Sequence, residues 1–246
     1  AAEWGLPMVA VFDTSFHETI PEFARRYAIP GRKRRFGFHG ISHQYVTERY
    51  AELTGSAAPT IVTLHLGNGC SATAVRKGRS VDTSMGVTPL EGLVMGTRGG
   101  DVDPGLVLAL ARERGVDEAD RILNRLSGLT AIAGTNDMRT ILSRDDADAE
   151  LAVEIFCHRA RKYVGAYLAV LGGAEAVVFT GGIGENAPEI RRRICSGFEW
   201  AGLRLDGSRS EGRISTEDSR LHAWVIRTDE ERLIAREAMR VLGGKR

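Results

Sequence analysis

The chain lacks any marked excess of charge. Its 246 residues carry 33 Lys plus Arg against 32 Asp plus Glu, a balance of +1. A general nucleic-acid binder shows a strong basic excess, so this balance argues against a nucleic-acid partner. A phosphate site here must instead be built from a few placed cations and backbone amides. Cysteine is scarce too. Cys70, Cys157 and Cys195 lie far apart, with neither metal-ligand spacing nor a disulfide framework, which suits a reducing cytoplasm. No run reaches the roughly 18 apolar residues of a membrane span. The most apolar stretch, 164–179, is interrupted by Gly172, Gly173 and Glu175, so no membrane partner is expected. The opening AAEWGLPMVAVFD has no basic n-region, no cleavage pattern and no initiator Met, and reads like the middle of a longer chain. The expectation is a soluble, cytoplasmic protein.

Glycine is abundant instead: 29 of 246 residues, against a usual share of about 7%. Most of these glycines sit in short clusters directly after apolar, strand-like runs. β-Branched and aromatic enrichment predicts strands over 8–12, 60–66, 176–180 and 224–227, and a hairpin of 71–76 and 80–83 about Lys77-Gly78-Arg79. Helical patterns occupy 42–53, with Ser42 as a plausible cap, and 106–114, 150–171, 188–201 and 230–242. Alternating strands and helices indicate an α/β architecture, in which ligands usually bind at strand-to-loop junctions.

Two junctions stand out. In HLGNGCSA, glycines flank Asn68, so the backbone can approach a phosphate with its amides and the Asn side chain can add a donor. The same string also reads as a plain Asn-Gly hairpin, and the two readings are compatible. In FTGGIGENAPEIR, a strand ends in a glycine cluster and Pro188 starts a helix. Its spacing fits neither the Walker P-loop nor the GxGxxG fingerprint. Two separate strand–glycine loops suggest a nucleotide held between two lobes.

Taken in order, VFDTSFHETIP, FGFHGISH, TLHLGNGCSA, SVDTSMGVTPLEGLVMGTRGGDVDP, FTGGIGEN and TDEE resemble the acetate kinase family. The resemblance implies the superfamily of sugar kinases, Hsp70 and actin. Its fold is α/β, with ribonuclease H-like lobes that each carry a mixed sheet and flanking helices, and ATP lies in the cleft between them. It implies that residues 1–229 form the C-terminal-type nucleotide-binding lobe and that 230–246 form a helix returning to an N-terminal lobe. It implies acetate, ATP/ADP and Mg²⁺ as substrates and cofactor, and a homodimer.

Carried over position by position, Asp13 would help place the metal and reacting groups, and His39 would contact the phosphoryl in flight. Asn68 would be the phosphate-loop asparagine, with His65, Gly67 and Gly69 beside it. Arg98 would stabilise the transition state, and Glu230 would serve Mg²⁺. Phe38 and Pro89 would form part of the acetate methyl pocket. Gly182, Ile183, Gly184 and Asn186 would lie on the adenine side, with Asp137, Met138 and Arg139 as further nucleotide contacts. A carboxylate acceptor is already an anion and a nucleophile, so no general base is needed. His39 is then more useful as a hydrogen-bond donor than as a proton acceptor.

Taken singly, each residue has a plainer reading. His39 could be a turn histidine, and His39 with His43 a zinc pair lacking a third ligand. Arg98 could be a surface ion pair. Asp101 and Asp103 read as turn and helix-cap residues, and Glu230-Glu231 as dipole compensation. The ordered set favours the enzyme over a non-catalytic nucleotide-binding or dimerisation module, with propionate or butyrate kinase as the near rivals. The family pattern also contains a first lobe, extra residues after Pro30, and a proline where Arg227 stands, and its loop before Asp137 is slightly longer. The chain is therefore expected to be part of a longer protein, and alone to show no appreciable kinase activity.

Overall fold

In the computed structural model, Gly5 and residues 7–244 are described; residues 1–4, 6, 245 and 246, at the edges of the two expected segments, lie outside them. Six strands form one mixed sheet: β1 (Ile61–Leu66), β2 (Cys70–Arg76), β3 (Arg79–Thr83), β4 (Ala176–Thr180), β5 (Gly212–Arg213) and β6 (His222–Val225). Their order is β3-β2-β1-β4-β6-β5. The first three make an antiparallel meander, β4 runs parallel to β1, β6 runs parallel to β4, and β5 closes the edge antiparallel. Lys77 (φ 51°) and Gly78 (φ 74°) turn β2 into β3, the double positive φ that suits the twist of a tight hairpin.

The helices are α1 (Glu22–Arg25), α2 (Gly40–Thr54), α3 (Pro104–Arg114), α4 (Val116–Arg125), α5 (Gly128–Ala133), α6 (Met138–Leu142), α7 (Ala147–Leu171), α8 (Gly181–Asn186), α9 (Pro188–Cys195) and α10 (Glu230–Gly243). Strand alternation sorts them into layers. Val62, Leu64 and Leu66, with Val177, Phe179, Ala223 and Val225, face a core that includes Phe156, Val164 and Leu168 of α7. Ile61, Val75, Ala176 and Val178 face the other way, onto Val46 and Tyr50 of α2. Asp146 caps α7 by accepting from the Ala149 N–H, and Gly172 ends it at φ 71°. Burying Phe156 and Phe179 completely contributes on the order of 2–3 kcal/mol each.

Several expected elements differ. Residues 8–12 form no strand; Met8 and Phe12 are exposed, and the Phe12 carbonyl accepts from the Ser15 N–H at 3.0 Å in a local turn rather than from a neighbouring strand. The helix expected over 188–201 stops at Cys195, and Glu199–Ala201 is a separate 3-10 turn after Gly197 at φ 92°. The glycine cluster 181–186 is itself a short helix rather than an open loop. Ser42 does not cap α2: the helix starts at Gly40 with His39 at the cap position. Helix α10 lies against α2, with an Arg236–Glu48 ion pair between them, and Leu233 is its buried residue. No described helix is long and apolar enough to cross a membrane.

Candidate active site

Because β1, β4 and β6 are parallel, their carboxyl ends share one edge of the sheet. That edge brings together the 67–69 turn, the start of α8, and the segment leading to Glu230. The Glu185 side chain ties two of these: its Oε1 accepts from the Thr180 hydroxyl (3.2 Å), the Gly181 N–H (3.0 Å) and the Thr228 N–H (3.1 Å). Gly181 sits at φ 77°, and a Cβ there would lie 2.8 Å from the Leu66 carbonyl oxygen. Only glycine lets the second loop close on the first.

Asp13 builds the entry to α2. Its carboxylate accepts from the His39 N–H at 2.7 Å and the Ile41 N–H at 3.3 Å, while its main-chain carbonyl accepts from Gly40 at 2.7 Å. A Cβ on Gly40 would meet that carbonyl oxygen at 2.2 Å. His39 is held in the left-handed region, φ 55°, which costs a non-glycine residue roughly 1–2 kcal/mol. The Asp13 hydrogen bonds offset that strain and aim the ring inward.

The ring stacks on His65, with centroids 4.3 Å apart and planes 27° from parallel. A serine hydroxyl holds each imidazole at Nδ1: Ser71 for His39 (2.9 Å) and Ser42 for His65 (2.8 Å). Burial, followed by the charges of His65, Arg98 and His17, pushes the His39 pKa down to about 3. Burial lowers His65 as well, partly opposed by Asp13 and Glu185. The stacked pair is therefore neutral at pH 7.

Arg98 approaches the 67–69 turn, with Nη1 donating to the Pro89 carbonyl at 2.6 Å. A Cβ built on Gly69 would lie 2.9 Å from Arg98 Nη2 and 3.1 Å from His39 Nε2. A guanidinium and an imidazole edge thus converge on the same side of the Gly69 backbone. Burial pulls the Arg98 pKa down, but a guanidinium keeps its charge in proteins. Its loop is stapled by Asp101, which accepts from the Gly92 N–H at 2.9 Å and from the Tyr163 hydroxyl at 3.0 Å, and pairs with Arg159 at 3.3 Å. Asp103 caps α3 by accepting from Gly105 and Leu106, as its position before Pro104 suggests.

Beyond Asn68 opens a cleft of about 560 Å³. Gly67, Asn68, Asp137, Met138, Arg139, Gly182, Ile183 and Asn186 line it, whereas Gly184 lies beneath, against Leu66 and Phe179. Asp137 uses its carboxylate to cap α6 and pair with Arg139, whose side chain is 91% exposed. Phe38 packs on the main core and offers its carbonyl to His17, and Pro89 touches the site through the Arg98 bond.

Glu230, half-buried, has its pKa raised by burial and then by the Asp13 charge. Two acids that repel each other at this edge of the sheet would suit Mg²⁺, which takes one or two carboxylates plus phosphate oxygens and water. No cluster of three potential metal ligands occurs among the described residues. His43 joins no metal site; Thr63 and Ser71 hold its two nitrogens at 2.7 Å each.

Sequence reasoning missed Gly96 and Asn136, which hold Asn68. The Gly96 N–H donates to the Asn68 carbonyl, and Asn136 Nδ2 to Asn68 Oδ1, both at 3.0 Å. The glycine count in MGTRGG was the available signal. Ser71 and Glu185 were missed as well, because their partners are distant in sequence.

The profile of the Acetokinase family matches residues 4–236. The chain is 55% identical to an acetate kinase of Solibacter usitatus, covering 98% of this chain and 63% of that one. It is 51% identical to an acetate kinase of Chloroherpeton thalassium, over 96% and 62%. Among solved structures, acetate kinase from Porphyromonas gingivalis superposes with a TM-score of 0.90 at 40% identity, over 94% of this chain and 63% of that one. A propionate kinase from Francisella tularensis gives 0.91 at 44%, over 96% and 65%. The chain therefore spans about 63% of the length of the curated relatives it matches.

Proposed function

The chain belongs to the acetokinase family, and from that premise we propose that it is the nucleotide-binding part of an enzyme that phosphorylates acetate. The observation that carries this reading is the convergence of Arg98 Nη2 and His39 Nε2 on the backbone at Gly69. In the forward direction an acetate oxygen forms a bond to the γ-phosphorus of ATP, the bond to the β-bridging oxygen breaks, and ADP leaves with that electron pair. The products are acetyl phosphate and ADP, and the reaction is reversible. No proton must be removed from a carboxylate nucleophile, which agrees with an imidazole kept neutral by burial.

Such transfers depend on positioning and charge neutralisation. Arg98 presents a planar fork to the equatorial oxygens, steadied by the Pro89 carbonyl. The amides of 67–69 and the Asn68 side chain hold the β- and γ-phosphates, and His39 donates beside Arg98. Glu230, with Asp13, would hold Mg²⁺, which supplies charge neutralisation on the phosphates. The cleft walled by Gly182, Ile183, Asn186, Asp137, Met138 and Arg139 takes the nucleoside. Phe38 and Pro89 contribute part of the methyl pocket.

Residues 230–246 are assigned to the connection with the remaining third of the family's length. Ile234, Met239, Val241 and Leu242 of α10 stay exposed here and are free to pack against it. We further assign a homodimer and a cytoplasmic setting to the enzyme. Acceptor choice is tested by kcat/KM for acetate, propionate and butyrate. Acetate is expected to lead propionate by about tenfold, the worth of one misplaced methylene; a preference for propionate or butyrate would overturn the acetate assignment.

A further inference from the structure

A polar seam lies behind the stacked imidazoles, on the α2 face of β1 and β2. Ser71 Oγ sits between two rings, 2.9 Å from His39 Nδ1 and 2.7 Å from His43 Nε2. The far nitrogen of His43, Nδ1, is 2.7 Å from the Thr63 hydroxyl. Ser71, His43 and Thr63 are all fully buried. None of these groups can exchange a partner with water, so the protons along the row must be mutually consistent.

Two consistent orders exist. In one, the Thr63 hydroxyl donates to His43 Nδ1, His43 Nε2–H donates to Ser71, and the Ser71 hydroxyl donates to His39 Nδ1. The proton of His39 then sits on Nε2. In the reverse order, His39 Nδ1–H donates to Ser71, Ser71 to His43 Nε2, and His43 Nδ1–H to Thr63. The Thr63 hydroxyl proton would then need a further acceptor. His43 is the partner its side chain has among the described residues, so that proton would be buried and orphaned. Letting both rings donate to Ser71 would orphan the serine proton in the same way. A buried donor without an acceptor carries the full desolvation penalty, whereas the first order leaves only spare lone pairs.

We propose that Thr63, His43 and Ser71 act as a one-way hydrogen-bond relay that fixes His39 as the Nε2–H tautomer. They are positioning residues: none faces the cleft, and all act through the ring of His39. The consequence for phosphoryl transfer rests on the function proposed above. The relay aims a neutral donor at the space beside Gly69, where Arg98 Nη2 also points. The burial that keeps His39 and His43 unprotonated near pH 7 makes the tautomer, rather than the charge, the variable the protein controls.

The proton order can be read without any assay of activity, so its failure is distinct from failure of the acetate kinase reading. The chain is labelled with ¹⁵N-histidine, two-bond proton–nitrogen correlation spectra are recorded at pH 7, and His39 and His43 are assigned from the peaks lost in His39→Gln and His43→Gln. Both rings are expected as Nε2–H, in roughly tenfold or greater excess over the other form. In Ser71→Ala the His39 nitrogen shifts are expected to move toward a mixed population. An Nδ1–H form at His39 in the unsubstituted chain would overturn the relay. So would a folded Ser71→Ala chain whose His39 populations are unchanged. The unsubstituted spectrum decides the order even if that variant does not fold.

Discussion

A single methyl group at Gly96 tests whether the position of Asn68 matters to turnover. A Cβ there would lie 2.1 Å from Asn68 Oδ1, 3.1 Å from Asn68 Cγ and 3.0 Å from Asn136 Cβ. Ordinary contact begins near 3.4 Å, so the Asn68 oxygen must retreat by 3.4 − 2.1 = 1.3 Å. Its 3.0 Å hydrogen bond from Asn136 is then lost. Asn68 is exposed and its amide is the far end of a short side chain, so the fold can absorb the shift; the stability cost of Gly96→Ala should be about 1 kcal/mol. Catalysis is less tolerant, because a displacement of about 1 Å in a phosphate-positioning group costs on the order of 10²-fold in rate. The assay is kcat and KM for ATP in the enzyme that carries this chain, with thermal melting alongside. A kcat within about threefold of the unsubstituted enzyme, at unchanged fold, would refute the role given to Asn68.

Other perturbations separate chemistry from support. Arg98→Ala should reduce kcat by about 10³-fold or more while ADP affinity, followed by calorimetry, changes little; an equal loss of affinity would mean that Arg98 binds the ground state. Gly86→Ala should destabilise by roughly 1–3 kcal/mol in a denaturant titration, because its Cβ would lie 2.1 Å from Glu91 Oε2 and 2.2 Å from Tyr27 Oη. A wild-type midpoint would refute that packing. Acid should weaken the fold through the histidines. His17 and His39 have folded pKa values of about 4 and about 3, below the ordinary 6.5, and burial lowers His43 and His65 as well. The unfolded chain thus binds more protons below pH 6.5. Stability is fully present above that value and falls as pH drops toward the folded values, by up to about 1.4 kcal/mol per pH unit for each histidine kept neutral. A urea midpoint that does not fall between pH 7 and pH 5.5 would contradict this.

The parts legible in the sequence were those set by local pattern. The β-branched enrichment of TIVTLHL marked β1 as a strand, the run to Leu171 with Gly172 behind it marked α7, and the ordered motifs singled out His39, Asn68 and Arg98. Long-range relations were not legible. Nothing local distinguishes Asp13 as the acceptor for the amides that begin α2, since its partners lie 26 and 28 residues away. The strand expected over 8–12 failed because a strand depends on a neighbour rather than on its own composition. Ser42 looked like a cap because it precedes an apolar run; a backbone amide bound to Asp13 displaced it, and its hydroxyl went to His65. Ser71, between two histidines from a different part of the chain, carries no sequence signature at all.

The proposed transfer of a phosphoryl group onto a carboxylate at this cluster has a direct test. The direct measurement is trapping of the product with hydroxylamine when the enzyme is given ATP, Mg²⁺ and acetate. Stoichiometric acetyl hydroxamate and ADP are predicted, each dependent on both substrates. ADP formation without hydroxamate, unaffected by acetate, would contradict it.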